Sequence, residues 1–167
     1  MLEGVTVKPL KRRCDERGYF IEIMRQDWTD LLGQDQPVQT NFSTTYPGMI
    51  RAWHRHNRGQ IDYFLVLSGV LKICNYDEKT KELDEIISTG LDLQLLRMPG
   101  HYWHGFKALG NETAFLIYFT TNLYDHENPD EERRPWNDPK IIPRLINGKK
   151  DDPRTGKPWD WNCPPNK

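Results

Sequence analysis

Four of the chain's five histidines fall in two short segments, Arg51-Ala52-Trp53-His54-Arg55-His56 and Met98-Pro99-Gly100-His101-Tyr102-Trp103-His104-Gly105-Phe106. Imidazole titrates near neutral pH and is also the commonest metal ligand. Two histidine-bearing strand ends that meet in one pocket could therefore transfer a proton or bind a metal ion. Residue type alone leaves both chemistries open.

The elements that must position these histidines read as strands. Apolar residues recur with period two, or in short runs bounded by Gly, Pro, Asn or Asp, across 5–10, 19–24, 38–44, 49–53, 63–67, 70–76, 82–88, 93–98, 104–108 and 114–121. Turns are predicted at Ser68-Gly69, Asp77-Glu78-Lys79, Thr89-Gly90 and Gly110-Asn111. Only residues 26–32, with Trp28, Leu31 and Leu32 at helical spacing, read as a short helix. Many short strands separated by turns predict an all-β sandwich or barrel, for which the jelly roll is one standard solution. From Asp125 onward Pro129, Pro135, Pro139, Pro143, Pro153, Pro158, Pro164 and Pro165 stand among many charges. Long regular elements are not expected there, and 125–167 is predicted to wrap the barrel or a neighbouring subunit. Within it, Pro158-Trp159-Asp160-Trp161 is too aromatic for a disordered tail and reads first as a hydrophobic plug on the protein's own surface.

Composition narrows the function classes. At 167 residues the chain is expected to form one domain, 1–167, with a substantial core. A net charge of −1 gives no footing for a nucleic-acid surface. No stretch approaches the roughly 18 apolar residues of a membrane span, and no apolar leader opens the chain, so a cytoplasmic protein is expected. Cys14, Cys74 and Cys163 are odd in number and lack CxxC spacing, so they read as reduced thiols.

Four motifs together resemble the dTDP-4-dehydrorhamnose 3,5-epimerase family, nucleotide-sugar epimerases built on a cupin jelly roll. They are Asp15-Glu16-Arg17-Gly18-Tyr19-Phe20-Ile21-Glu22, and Gln39-Thr40-Asn41-Phe42-Ser43 leading to Gly48-Met49-Ile50-Arg51-Ala52-Trp53-His54. The third runs from Pro99 to the His104-Gly105-Phe106 ending, and the fourth from Phe115-Leu116-Ile117-Tyr118 through Tyr124 to Trp136-Asn137-Asp138-Pro139. The likeness spans about residues 8–142. It implies a cupin jelly roll, a homodimer with strand exchange, a nucleotide-diphosphate sugar as substrate, and no cofactor. By the same resemblance His54 is the base that removes the proton beside a C4 ketone, and Tyr118 is the acid on the opposite ring face. Arg17 and Arg51 would hold the diphosphate, and Glu22, Gln39 and Asn41 the sugar or base. Phe20 would supply an apolar face, Tyr124 would line the pocket, and His104 would stand near the ketone. The chemistry suits these types: a C–H beside a ketone is a weak acid and needs both a positioned base and a means of stabilising the enolate. A planar guanidinium holds phosphate oxygens in bidentate fashion. Taken singly, Arg17 would read as a surface ion pair, Tyr118 as a barrel-lining tyrosine and His54 as a structural histidine.

Two departures matter. Asp62 occupies the position of the lysine that, in the family, helps stabilise the enolate oxygen, and a carboxylate there would oppose a developing oxyanion. Epimerisation at one carbon only, or ketone migration, becomes plausible chemistry. The aspartate that orients the family's base has no clear counterpart, with Asp151 and Asp152 as the available residues. His56 in turn creates a His-x-His pattern that, with Asp62 and His104, resembles the ligand set of a metal-binding cupin. Three imidazoles and a carboxylate suit a divalent ion such as Zn, Fe, Mn or Ni. Three readings follow: a cofactor-independent epimerase, which is the expectation, a metal-dependent cupin enzyme using His54, His56 and His104, and a non-catalytic sugar-nucleotide binding module.

Overall fold

The computed structural model describes residues 1–162, so the expectations for Cys163, Pro164 and Pro165 lie outside the described residues. The chain enters through β1 (Thr6–Pro9) and a small hairpin of β2 (Arg13–Asp15) and β3 (Gly18–Phe20), then a single helical turn, α1 (Thr29–Leu32). Eight longer strands follow: β4 (Gln39–Thr45), β5 (Ile50–His56), β6 (Ile61–Ser68), β7 (Val70–Asp77), β8 (Glu82–Thr89), β9 (Gln94–Pro99), β10 (Trp103–Leu109) and β11 (Ala114–Thr120). Two short strands, β12 (Glu131–Arg133) and β13 (Leu145–Ile146), fall in the proline-rich segment. They form a five-stranded sheet in the order β1-β9-β6-β11-β4 facing a six-stranded sheet in the order β12-β5-β10-β7-β8-β13. This is the predicted all-β jelly roll. No helix among the described residues is long and apolar enough to cross a membrane.

Side-chain alternation explains the layering. On β7, Leu71 and Ile73 point between the sheets to meet Phe64, Val66, Leu96, Phe106 and Leu116. Cys74 and Tyr76, on the opposite face, pack with Trp53, Leu83 and Trp103 beneath Ile141, Ile146, Trp159 and Trp161 of the C-terminal segment. Covered on both faces, β7 is buried almost throughout, with Lys72 and Asn75 as its buried polar residues. Trp159 and Trp161 are the plug that the sequence predicts: the Trp161 ring lies 4.8 Å from that of Trp53, and its indole N–H donates to the Trp136 carbonyl. Arg55 and Arg134 stack on Trp103 at 4.6 and 4.0 Å, pinning the start of the wrap to the sheet.

Two expectations need correction. Residues 19–24 are strand only to Phe20. Ile21, Ile23 and Met24 instead lie as irregular chain against Leu31, Leu32, Tyr63 and Leu95 on the outer face of the five-stranded sheet, so burial rather than pairing accounts for their alternation. The helix predicted over 26–32 shrinks to one turn, because no side chain caps its start at Trp28 and Gly33 turns the chain at φ 55°.

Candidate active site

A cavity of about 710 Å³ opens between the two sheets at one end of the roll. Its floor is set by how closely β5 and β10 approach. His54 and His104 are Cα partners, and the register shifts between His104 and Phe106. At Gly105 a Cβ would fall 2.4 Å from the Ala52 Cβ, so only glycine lets the two strands meet there. Gly100 does the same for the turn ahead of β10: a Cβ would come within 2.6 Å of the Gln60 carbonyl and 3.0 Å of the His56 Cβ. The three imidazoles are thereby drawn together. Their ring centroids lie 4.1 Å (His54–His104), 5.6 Å (His56–His104) and 5.8 Å (His54–His56) apart.

His54 and His56 line the cavity from the six-stranded sheet, and His104 lies fully buried behind them. Burial first, then the neighbouring His104, His56 and Arg133, hold the His54 pKa well below its ordinary value, so the ring is a neutral proton acceptor. Arg133 is its Cα partner on β12. Tyr118 and Asp62 line the cavity from the five-stranded sheet. Burial, then Asp62 and Glu131, push the Tyr118 hydroxyl pKa up, which keeps its proton in place. Asp62 is buried and accepts a 2.7 Å hydrogen bond from the Gln60 amide.

Gln39, Asn41, Arg51 and Tyr124 complete the wall nearer the mouth. The Gln39 amide donates to Asn41 at 2.9 Å, and its carbonyl accepts the Tyr124 backbone N–H at 2.8 Å, which locks the pair in one orientation. Arg51 is exposed and donates to the Thr44 carbonyl, leaving most of its fork open to the cavity. Arg17, Phe20 and Glu22 are not brought here within one chain. They sit on and just after the β2–β3 hairpin, where Arg17 pairs with Asp15, Glu22 with Arg25, and the Phe20 ring is 62% exposed. Asp152 is bound to Arg154 at 2.8 Å and Asp151 is exposed, so neither orients His54. Among the described residues no carboxylate is hydrogen-bonded to the His54 ring.

Sequence reasoning missed Glu131 and Arg133, which line the cavity and pair with each other at 2.6 Å. Their only sequence signal is the five-residue charged stretch Asp130-Glu131-Glu132-Arg133-Arg134. It becomes an element because Arg134 and Trp53 exchange backbone hydrogen bonds at 2.9 and 3.1 Å and bring β12 alongside β5.

The chain resembles known sugar-processing proteins in sequence and fold. A model of the polysaccharide biosynthesis C-terminal domain matches residues 13–132. The probable low-salt glycan biosynthesis epimerase of Haloferax volcanii is 42% identical over 140 residues, 81% of this chain and 88% of that protein. The spore coat polysaccharide biosynthesis protein SpsL of Bacillus subtilis is 38% identical over 146 residues, 84% and 94% of the two chains. Among solved structures, dTDP-6-deoxy-D-glucose-3,5-epimerase from Legionella pneumophila, held with dTDP-4-keto-L-rhamnose, superposes with a TM-score of 0.74 at 27% identity, covering 84% of this chain and 77% of that one. The family match, the extent of the two relatives and the shared jelly roll agree: the chain belongs to the polysaccharide biosynthesis C-terminal domain family of cupin-fold proteins, alongside sugar epimerases.

Proposed function

We propose that the chain is an isomerase that epimerises a nucleotide-diphosphate-linked 4-keto-6-deoxy sugar, His54 removing the proton from a carbon beside the ketone and Tyr118 returning one from the other side. The observation that carries this reading is the placement of the two side chains on facing sheets of one cavity, a neutral imidazole on one wall and a protonated phenol on the other. A sugar ring between them presents opposite faces to base and acid, and delivery from the face opposite to removal inverts the carbon. Atoms balance without a redox partner: one C–H bond breaks toward the His54 nitrogen, an enolate forms at C4, and a new C–H bond forms with the Tyr118 proton.

The diphosphate is assigned to Arg51 and Arg133 at the mouth, with Gln39, Asn41 and Tyr124 along the sugar or base. Arg17, Phe20 and Glu22 enter the same scheme through a homodimer, in which the hairpin of one protomer reaches the cavity of its partner. Supporting this are the exposed Tyr19 and Phe20 on the hairpin, the exposed Phe42 and Phe115 rings 6.0 Å apart on the outer sheet face, and β4 as a sheet edge. Cys14 and Cys74 are unpaired, in keeping with a cytoplasmic setting.

The test is incubation with dTDP-4-keto-6-deoxyglucose in deuterium oxide, followed by proton NMR. Loss of the C3 or C5 signal supports the reading and names the carbon. A saturating bound ligand with no exchange would leave a binding module and refute it.

A further inference from the structure

Strand β12 is three residues long, lies at the edge of its sheet, and is built of Glu131, Glu132 and Arg133, of which the glutamates are poor strand formers. Yet it is this strand that brings Glu131 and Arg133 to the cavity, beside their Cα partners His56 and His54 on β5. We infer that Arg134 and Glu78 are positioning residues, holding β12 against β5 from the far side of the sheet and so setting Arg133 where it takes the substrate's diphosphate. The diphosphate role of Arg133 rests on the epimerase reading, whereas the pinning of β12 does not.

Alternation is the first support. The pairs His54–Arg133 and His56–Glu131 face the cavity, so Arg55 and its partner Glu132 face the other way, where the Arg55 Nε donates to Glu132 at 2.7 Å. Arg134, the next residue, borders the cavity, but its guanidinium is taken up on that other side. It lies 4.0 Å from the Trp103 ring and donates to the two Glu78 carboxylate oxygens at 2.8 and 3.1 Å. A planar fork that is both stacked and hydrogen-bonded to a carboxylate has one orientation.

The second support is convergence. Glu78, in the turn between β7 and β8, also accepts the Trp103 indole N–H at 3.3 Å and lies 3.7 Å from the Arg55 guanidinium. One carboxylate thus ties together the tryptophan of β10, the arginine of β5 and the residue that follows β12. The third support is that Arg133 has little else to aim it. Its side chain is 75% exposed, and among the described residues its one side-chain hydrogen bond is to Glu131 of the same strand. Where the strand lies is therefore where the guanidinium starts from. Beyond burial, Arg133 is one of the charges that lower the His54 pKa, and Glu131 one of those that raise that of Tyr118, so both reacting groups sense the placement of β12. The wrap has a second anchor, where Arg154 bonds Glu85 and Asp152 at 2.8 Å each, but Glu85 belongs to β8, three strands beyond β5 in the sheet.

The experiment is calorimetric titration of dTDP into the parent, Glu78→Gln, Arg134→Gln, Arg134→Lys, Arg133→Gln, the Arg133→Gln/Arg134→Gln double variant and Arg154→Met. Tm and the KM and kcat of deuterium exchange are measured on the same samples. We expect Arg134→Gln and Glu78→Gln to weaken dTDP at least about tenfold, the scale of one charge-assisted hydrogen bond, and to raise KM more than they lower kcat. Arg134→Lys, which keeps the charge without the fork, should recover only part of the affinity. With Arg133→Gln already in place, Arg134→Gln should weaken dTDP by no more than about a further twofold, because it acts through Arg133. Arg154→Met should lower Tm and bind dTDP as the parent does. Full additivity of Arg133→Gln and Arg134→Gln, parent affinity in Arg134→Gln and Glu78→Gln, or an equal loss in Arg154→Met overturns the inference. A parent without exchange refutes the epimerase reading, while the same non-additive loss of dTDP would still uphold the positioning of Arg133. A parent that binds no dTDP refutes the diphosphate assignment and this inference with it.

Discussion

Gly105→Ala is the substitution whose effect can be worked most directly from the geometry. The added methyl would sit 2.4 Å from the Ala52 Cβ and 2.7 Å from both the Ala52 Cα and the Arg51 carbonyl oxygen, where ordinary contact begins near 3.4 Å. Strands β5 and β10 must therefore separate by about 1 Å at the point where they present His54 and His104. Overpacking of this kind costs about 1–3 kcal/mol. In a chain of this length that lowers Tm by about 2–4 °C per kcal/mol. The catalytic effect should be larger, because a misplacement of about 1 Å at a proton-transfer site costs on the order of a hundredfold in rate. Differential scanning calorimetry and the deuterium exchange rate measure the two effects on one sample. A second change, Ala52→Gly, should restore them only in part, since the 2.7 Å contact with the Arg51 carbonyl remains. If Gly105→Ala leaves both Tm and exchange as in the parent, close approach of the two strands does not position the site.

Three further outcomes follow. Tyr118→Phe should retain deuterium exchange at the carbon served by His54 while the yield of inverted sugar falls by about 10²–10⁴-fold, measured by NMR of the product. The acid limb of kcat/KM should lie below pH 6.5, because burial first, then His104, His56 and Arg133, hold the His54 pKa below its ordinary value and keep the ring neutral at that pH. An acid limb at or above 6.5 contradicts the assignment. Trp161→Ala should cost about 3–5 kcal/mol in urea unfolding, since the indole is 1% exposed and packs on Trp53.

The jelly roll was legible because period-two patterning is a local signal. The run 70–76 carries apolar residues on both faces, and the structure covers both, one by the opposite sheet and the other by the wrap. Ile21, Ile23 and Met24 show the limit of that signal, since the same alternation serves a loop that lies on a sheet without joining it. Strands β12 and β13 show no strand patterning in the sequence, because their order comes from backbone partners at Trp53, Lys81 and Leu83, far away in sequence. At the site, the His54-Arg55-His56 pattern and Asp62 were visible as departures from a familiar motif. That the His56 and His104 Nε2 atoms converge on the Asp62 carboxylate depends on two backbone carbonyls, of Asp130 and Tyr102, that no residue type announces. The separation of the hairpin residues Arg17 and Phe20 from the cavity likewise follows from chain path.

The central claim is that His54 takes the proton from the carbon beside the ketone. The measurement that tests it most directly is proton NMR of dTDP-4-keto-6-deoxyglucose in deuterium oxide with the parent protein and with His54→Asn, each checked for fold by calorimetry. The account predicts loss of the C3 or C5 signal with the parent and none above background with the variant. Exchange at the parent's rate in a folded His54→Asn protein would contradict it.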